Sequence, residues 1–340
     1  MLPRRSDGAS FGTFWSFLFG GSAYREPDAG IPVVYRTAAD FAGAPAPLRV
    51  TWLGHSTLLV ELDGARVLID PVWGDYAAPA RLFGVGRFYG PPLALGDLPP
   101  LDAVVLSHDH YDHLDLPTVK ALADRVPRFV VPLGVGSHLE AWGVAPERIT
   151  ELDWWDEFAV GPGGAPVRLV ATPARHFSGR SLFDRDKTLW AGWAIVGPEH
   201  RVFYSGDTAL APDFGTVGQR LGPFDITLVE SGAYNAAWAD VHLGPEQAVA
   251  VHRMVGGTLM VPVHWALFDL ALHGWTEPVE RVRVATERAG VRAAFPRPGE
   301  SVTLEDAPTR QWWPDLPWET AAEAPAVSTG LPDSVRALIP

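Results

Sequence analysis

Short apolar runs set off by turn residues dominate the central part of the chain. Residues 48–53 (LRVTWL), 57–62 (TLLVEL) and 66–69 (RVLI) are leucine-rich or β-branched, with Gly-His-Ser and Asp-Gly punctuation between them. They predict three strands joined as a meander. Residues 103–106 (AVVL) form a further apolar strand that stops at Ser107 and delivers the chain into a histidine-rich loop. Residues 117–123 then predict a helix with Pro117 in its first turn. Further strands are predicted at 128–131, 167–171, 189–196, 202–204, 226–229 and 259–263, and helices at 136–142, 245–254 and 277–289. Strands interleaved with helices, without a dinucleotide-type glycine pattern, predict a layered α/β or α+β fold rather than a doubly wound parallel sheet. Residues 1–45 and 301–340, rich in Pro and Ala, read as N- and C-terminal extensions of a working domain at 46–300.

Composition narrows the function. A chain of 340 residues that is 47% hydrophobic can bury a large core. No run approaches the roughly 20 apolar residues of a membrane span, so a soluble, cytoplasmic protein is expected. Residues 11–20 (FGTFWSFLFG) follow Arg4-Arg5 without a small-residue cleavage site. They read either as a core-packing segment or as an aromatic surface segment that touches a membrane peripherally. The absence of cysteine removes disulfides, thiolate ligands and a cysteine nucleophile, so any metal must be held by histidine and carboxylate. A net charge of −13 argues against nucleic acid as a partner. It does not exclude a small phosphate substrate, because bound divalent cations dominate their local field.

The sequence His108-Asp109-His110-Tyr111-Asp112-His113 packs three imidazoles and a carboxylate donor into one loop after a buried strand. Imidazole nitrogen and carboxylate oxygen are the donors that zinc, manganese or iron takes when thiolate is absent. One loop cannot complete two coordination spheres. Three further donors each follow a predicted strand: His176, Asp207 in Ser-Gly-Asp-Thr, and His264.

The order His-x-His-x-Asp-His, His, Gly-Asp-Thr, His resembles the metallo-β-lactamase superfamily, which implies a four-layer αββα sandwich with metals at one edge. That resemblance implies His108, His110 and His176 on one ion, Asp112, His113 and His264 on the other, and Asp207 between them. A narrower likeness over residues 50–292 rests on Trp52-Leu53-Gly54-His55-Ser56-Thr57, Ile69-Asp70-Pro71, Trp154-Trp155, Gly222-Pro223-Phe224-Asp225 and Gly232-Ala233-Tyr234. These pieces resemble the N-acylphosphatidylethanolamine-hydrolysing phospholipases D and their bacterial relatives, which border the L-ascorbate-6-phosphate lactonases. The chain departs from the phospholipase D pattern at Val241, where that pattern has Gln, and at Glu230-Ser231, where it has a Pro–apolar pair.

The implied cofactor is a pair of divalent ions, zinc foremost with manganese or iron as alternatives. Such a pair lowers the pKa of a bridging water and stabilises charge on the atom attacked. Asp112 would orient that nucleophile. His242, before Gly244-Pro245, would contact a phosphate or protonate the leaving group. Asp70 suits an acceptor for a ligand histidine's N–H, and His55 a supporting place near the metals. Tyr234 and Tyr111 are candidate donors to a substrate oxygen. The leading expectation is a phosphodiesterase of phospholipase D type acting on a phospholipid or smaller phosphodiester. A lactonase or carboxylic-ester hydrolase, and a catalytically silent metal-binding protein, stand as alternatives.

Overall fold

The computed structural model describes residues 20–78, 85–161, 166–181 and 183–340; the aromatic stretch 11–19 lies outside them. In chain order the strands begin with β1 (Leu48–Gly54), β2 (Thr57–Leu62) and β3 (Ala65–Ile69), an antiparallel meander. They continue with a small hairpin, β4 (Tyr76–Ala77) and β5 (Val85–Gly86), and with β6 (Ala103–Val105), β7 (Phe129–Pro132) and β8 (Ile149–Leu152). The later ones are β9 (Glu157–Val160), β10 (Val167–Thr172), β11 (Gly192–Val196), β12 (Arg201–Tyr204), β13 (Phe224–Glu230), β14 (Gly257–Val263) and β15 (Ser301–Val302). The α-helices are α1 (Leu116–Leu122), α2 (Gly136–Ala141), α3 (Asp213–Leu221), α4 (Pro245–Val255), α5 (Glu277–Ala289) and α6 (Asp333–Arg336).

Two sheets form the body, in the orders β15-β1-β2-β3-β6-β7-β8 and β14-β13-β12-β11-β10-β9. Alternation along the strands explains the layers. On β2, Leu58, Val60 and Leu62 join the core shared with the second sheet. Leu59 between them joins a separate cluster with Val119 and Leu122 of α1 and Leu139 of α2. On β6, Ala103 and Val105 turn inward and Val104 outward in the same way. Each fully buried Leu or Phe in such layers contributes about 1.5–3 kcal/mol relative to exposure. Helix α4 packs on β13 and β14, with α3 and α5 against it, so the second sheet is also covered by helices. The fold is a four-layer αββα sandwich.

The described parts of both flanking segments pack onto this body. Ser301–Val302 extends the first sheet beside β1. The buried Trp313 donates its indole N–H to Glu280 Oε1 at 2.8 Å, and Trp312 stacks on Trp265 with ring centroids 5.3 Å apart. Towards the N-terminus, Val34 N–H bonds the Pro298 carbonyl at 2.8 Å.

Candidate metal centre

Each candidate ligand follows the C-terminal end of a strand, and these ends meet at one edge of the sandwich. β6 leads into the His108–His113 loop, β10 into His176, β12 into Asp207 and β14 into His264. Helix α1 closes the first loop: Asp115 caps it by accepting from Thr118 N–H at 3.2 Å. Arg180 braces the same loop by donating to the Asp109 and Leu114 carbonyls at 2.6 and 2.8 Å. Three site residues hold left-handed backbone, His55 (φ 52°), Asp70 (φ 40°) and His264 (φ 66°). For side chains with a Cβ this conformation is costly, and its concentration here marks an edge shaped for its contacts.

The donors fall into two sets, and Asp207, a member of the first, also reaches residues of the second. His108, His110, His176 and Asp207 each offer one ligand atom within 4.8 Å of the others, and so do His55, Asp112, His113 and His264. In the first set, His110 Nδ1 lies 2.8 Å from His108 Nε2 and 3.2 Å from His176 Nε2. In the second, His113 Nε2 and His264 Nε2 each lie 3.4 Å from Asp112 Oδ2. Asp207 Oδ2 reaches both sets, at 3.2 Å from His113, 3.1 Å from His264 and 3.8 Å from both His108 and His176.

The surroundings decide which imidazole nitrogen faces inward. His176 Nδ1–H donates to the Val241 carbonyl at 2.7 Å, and His113 Nδ1–H donates to Asp70 Oδ2 at 2.7 Å. His108 Nδ1 meets Ser107 Oγ at 2.9 Å. Each bond leaves Nε2 for the cluster, which is how outer partners orient metal-binding histidines. Asp70 also accepts from Ser107 N–H at 2.7 Å and from the Tyr204 hydroxyl at 2.6 Å.

The electrostatics of the cluster suit divalent cations. Burial pushes His108 and His176 well below the usual imidazole value, and His110 below it, so these rings present lone pairs. Burial opposes ionisation of Asp112 and Asp207, but His113 and other neighbouring imidazoles outweigh it and hold both carboxylates well below their usual range. Burial alone would also lower His113 and His264. Asp207 and the other nearby carboxylates reverse this, raising His113 strongly and His264 to about 10. Among the described residues, the buried His113 Nε2, Asp207 Oδ1 and both ring nitrogens of His264 have no partner in hydrogen-bonding geometry. Unpaired inward donors between ionised carboxylates fit divalent cations, whose binding would displace those protons.

His55 Nε2 bonds Asp112 Oδ2 at 3.0 Å, within ligand reach of the second set, and burial lowers the ring to about 3. His242 straddles both sets, its ring centroid 5.0 Å from that of His176 and 5.4 Å from that of His264. Its Nδ1 bonds Glu230 Oε2 at 2.9 Å. Glu230 is the residue whose function the sequence did not reveal. Wholly buried at the end of β13, it also accepts at Oε1 from the N–H groups of Thr208 (2.6 Å) and Leu243 (3.1 Å). Its only signal in the sequence was the departure from the phospholipase D pattern.

Tyr234 is placed differently from its expected role. Its hydroxyl donates to Glu277 Oε1 at 2.6 Å, its ring stacks on His273, and it lines a cavity of about 530 Å³ with Tyr24 and Trp318. Tyr111 likewise spends its hydroxyl on the Arg180 carbonyl at 2.8 Å, beneath the Arg180 guanidinium.

The family model described as "Beta-lactamase superfamily domain" matches residues 65–265. An uncharacterised protein of Mycobacterium tuberculosis is 49% identical over 306 residues, 88% of this chain and 80% of its own length. N-acyl-phosphatidylethanolamine-hydrolyzing phospholipase D 1 of Caenorhabditis elegans is 36% identical over 265 residues, 75% of this chain and 74% of its own. Among solved structures, the metallo hydrolase Igni18 of Ignicoccus hospitalis superposes with a TM-score of 0.57 at 22% identity, covering 75% of this chain and 97% of that one. The chain belongs to the metallo-β-lactamase superfamily and is a metal-dependent hydrolase of that group.

Proposed function

We propose that the chain is a binuclear phosphodiesterase of phospholipase D type. In this reading His108, His110, His176 and Asp207 hold one divalent ion, and Asp112, His113, His264 and Asp207 hold the other, with zinc the first choice. The observation that carries it is the pair of donor sets joined through Asp207 Oδ2. The phosphodiester substrate is supported by the 36% identity to a protein named for hydrolysing N-acylphosphatidylethanolamine. When bound, the ions would activate water and neutralise charge on the phosphoryl oxygens.

The chain's own residues supply the rest. Asp112 has 14% of its side chain exposed against 2% for Asp207, so it is the carboxylate at the opening, suited to orient the attacking water and accept its proton. His242, with 14% of its side chain exposed, commits Nδ1 to Glu230 and keeps Nε2 for a substrate oxygen. Metal analysis of the purified chain, with hydrolysis of bis(p-nitrophenyl) phosphate before and after chelation, tests the proposal. About two ions per chain and chelator-sensitive turnover are expected. Two ions with lactones or carboxylic esters hydrolysed in place of phosphodiesters would move the substrate to that class, and a chain that binds no metal would sink the proposal.

A further inference from the structure

Two residues near the C-terminus, far from every ligand in sequence, meet three of the segments that build the site. Ser328 Oγ donates to the Ala239 carbonyl at 2.8 Å and accepts from Leu210 N–H at 3.0 Å. Thr329 donates through N–H and Oγ1 to the two oxygens of Asp240, each at 2.7 Å, and its carbonyl accepts from Arg175 Nη1 at 3.1 Å. Arg175 Nη2 closes the network on Asp240 Oδ1 at 2.9 Å. Ser328, Asp240 and Arg175 are each about 1% exposed.

The three segments are those of the metal-binding edge. Arg175 directly precedes His176. Leu210 lies three residues beyond Asp207, whose neighbour Thr208 accepts through Oγ1 from Arg175 N–H at 2.8 Å. Asp240 directly precedes Val241, whose carbonyl fixes the His176 tautomer, and His242 follows. We propose that Ser328 and Thr329 are positioning residues of the metal centre. The tail dipeptide clamps the 174–176, 207–210 and 239–242 segments together, so that the Val241 carbonyl stays on His176 Nδ1 and Nε2 stays on the ion. A buried network that served only to anchor the tail would have no need to meet both flanks of the His176–Val241 bond. The inference rests on His176 being a metal ligand.

The test uses the full chain and zinc alone, without substrate. Competition against a chromophoric chelator measures zinc affinity, and circular dichroism measures melting of the metal-free protein. The Ser328→Ala, Thr329→Val double variant is expected to bind one of its two zinc ions about 10–100-fold more weakly, the usual cost of losing an outer partner. Thr329→Ser, which keeps the hydroxyl, is expected to bind as the wild type does. Either single substitution serves if the pair does not fold. Zinc affinity within twofold of wild type in the double variant would overturn the proposal, as would a loss that merely follows a lower melting temperature of the metal-free chain. A wild type that binds no zinc would overturn the metal reading with it, whereas zinc binding without phosphodiester turnover would remove only the phosphodiesterase.

Discussion

Glu230 shows how one side chain links two loops of the site. Its Oε1 is held by two backbone N–H groups, so the carboxylate cannot swing, and Oε2 must meet His242 Nδ1. Glu230→Gln keeps the volume and can keep an acceptor for the backbone, but it then turns an amide N–H toward the imidazole N–H. His242 must flip its tautomer or rotate. The expected result is a fall in kcat of about 100-fold, within the range for losing one general acid or base, with metal content unchanged. Because both groups act as one unit, His242→Gln should lose a similar amount and the double variant little more. Kinetics on the phosphodiester the chain cleaves best, with metal analysis of each variant, decide this. Loss of metal in Glu230→Gln would show that the carboxylate shapes the ligand cage instead. Residues of this kind are where sequence reading stops. The His108–His113 loop announces itself in six positions, and Asp207 and His264 are found by following strand ends. Glu230 has no such local pattern, and the Ser328 and Thr329 hydrogen bonds span 81 to 154 residues.

At the scale of elements, the strands and helices legible in the sequence were those with an apolar run or a clear entry signal. Helix α3 was not among them, because Gly215 and Gly218 weaken its propensity. Packing explains the second glycine: a Cβ at Gly218 would lie 2.3 Å from the Met254 carbonyl oxygen at the end of α4. Gly218→Ala should therefore destabilise the fold by about 1–3 kcal/mol through overpacking, despite its better propensity, as a chemical denaturation curve would register. Strands β8 and β9 escaped for another reason. Both carry exposed positions and lie at sheet edges, so little burial is written into them.

The same α4 layer carries a pH dependence. His252 Nδ1 hydrogen-bonds the Thr227 hydroxyl at 2.7 Å, and burial lowers its pKa to about 4 from an ordinary 6.5. The unfolded chain therefore takes up a proton before the folded one does. Its contribution is complete above pH 6.5, is lost as pH falls from about 6.5 to about 4, and changes no further below that. A shift of this size is worth on the order of 3 kcal/mol. Urea melts of the wild type and His252→Gln across this window should converge toward pH 4, because the variant lacks this slope. Parallel curves would mean that His252 takes up its proton as readily in the folded state as in the unfolded one.

For the molecule as a whole, the candidate ligands tie the two sheets together at one edge. His108, His110, Asp112 and His113 come from a loop after the first sheet, while His176, Asp207 and His264 come from strand ends of the second. Ions bound there must stabilise the folded chain by mass action, since the unfolded chain brings no such set together. With free metal at about 1,000 times Kd, each ion adds about 4 kcal/mol. For a chain of this size, two such ions correspond to a rise in Tm of roughly 10 °C. Scanning calorimetry before and after chelation should show that difference, restored on adding zinc back. The apolar core between the sheets does not depend on the ions, so the stripped chain should still melt cooperatively. An unchanged Tm on chelation would mean that the carboxylate–imidazole contacts already hold the edge without metal. A stripped chain that no longer melts cooperatively would mean instead that the sandwich needs its ions in order to close.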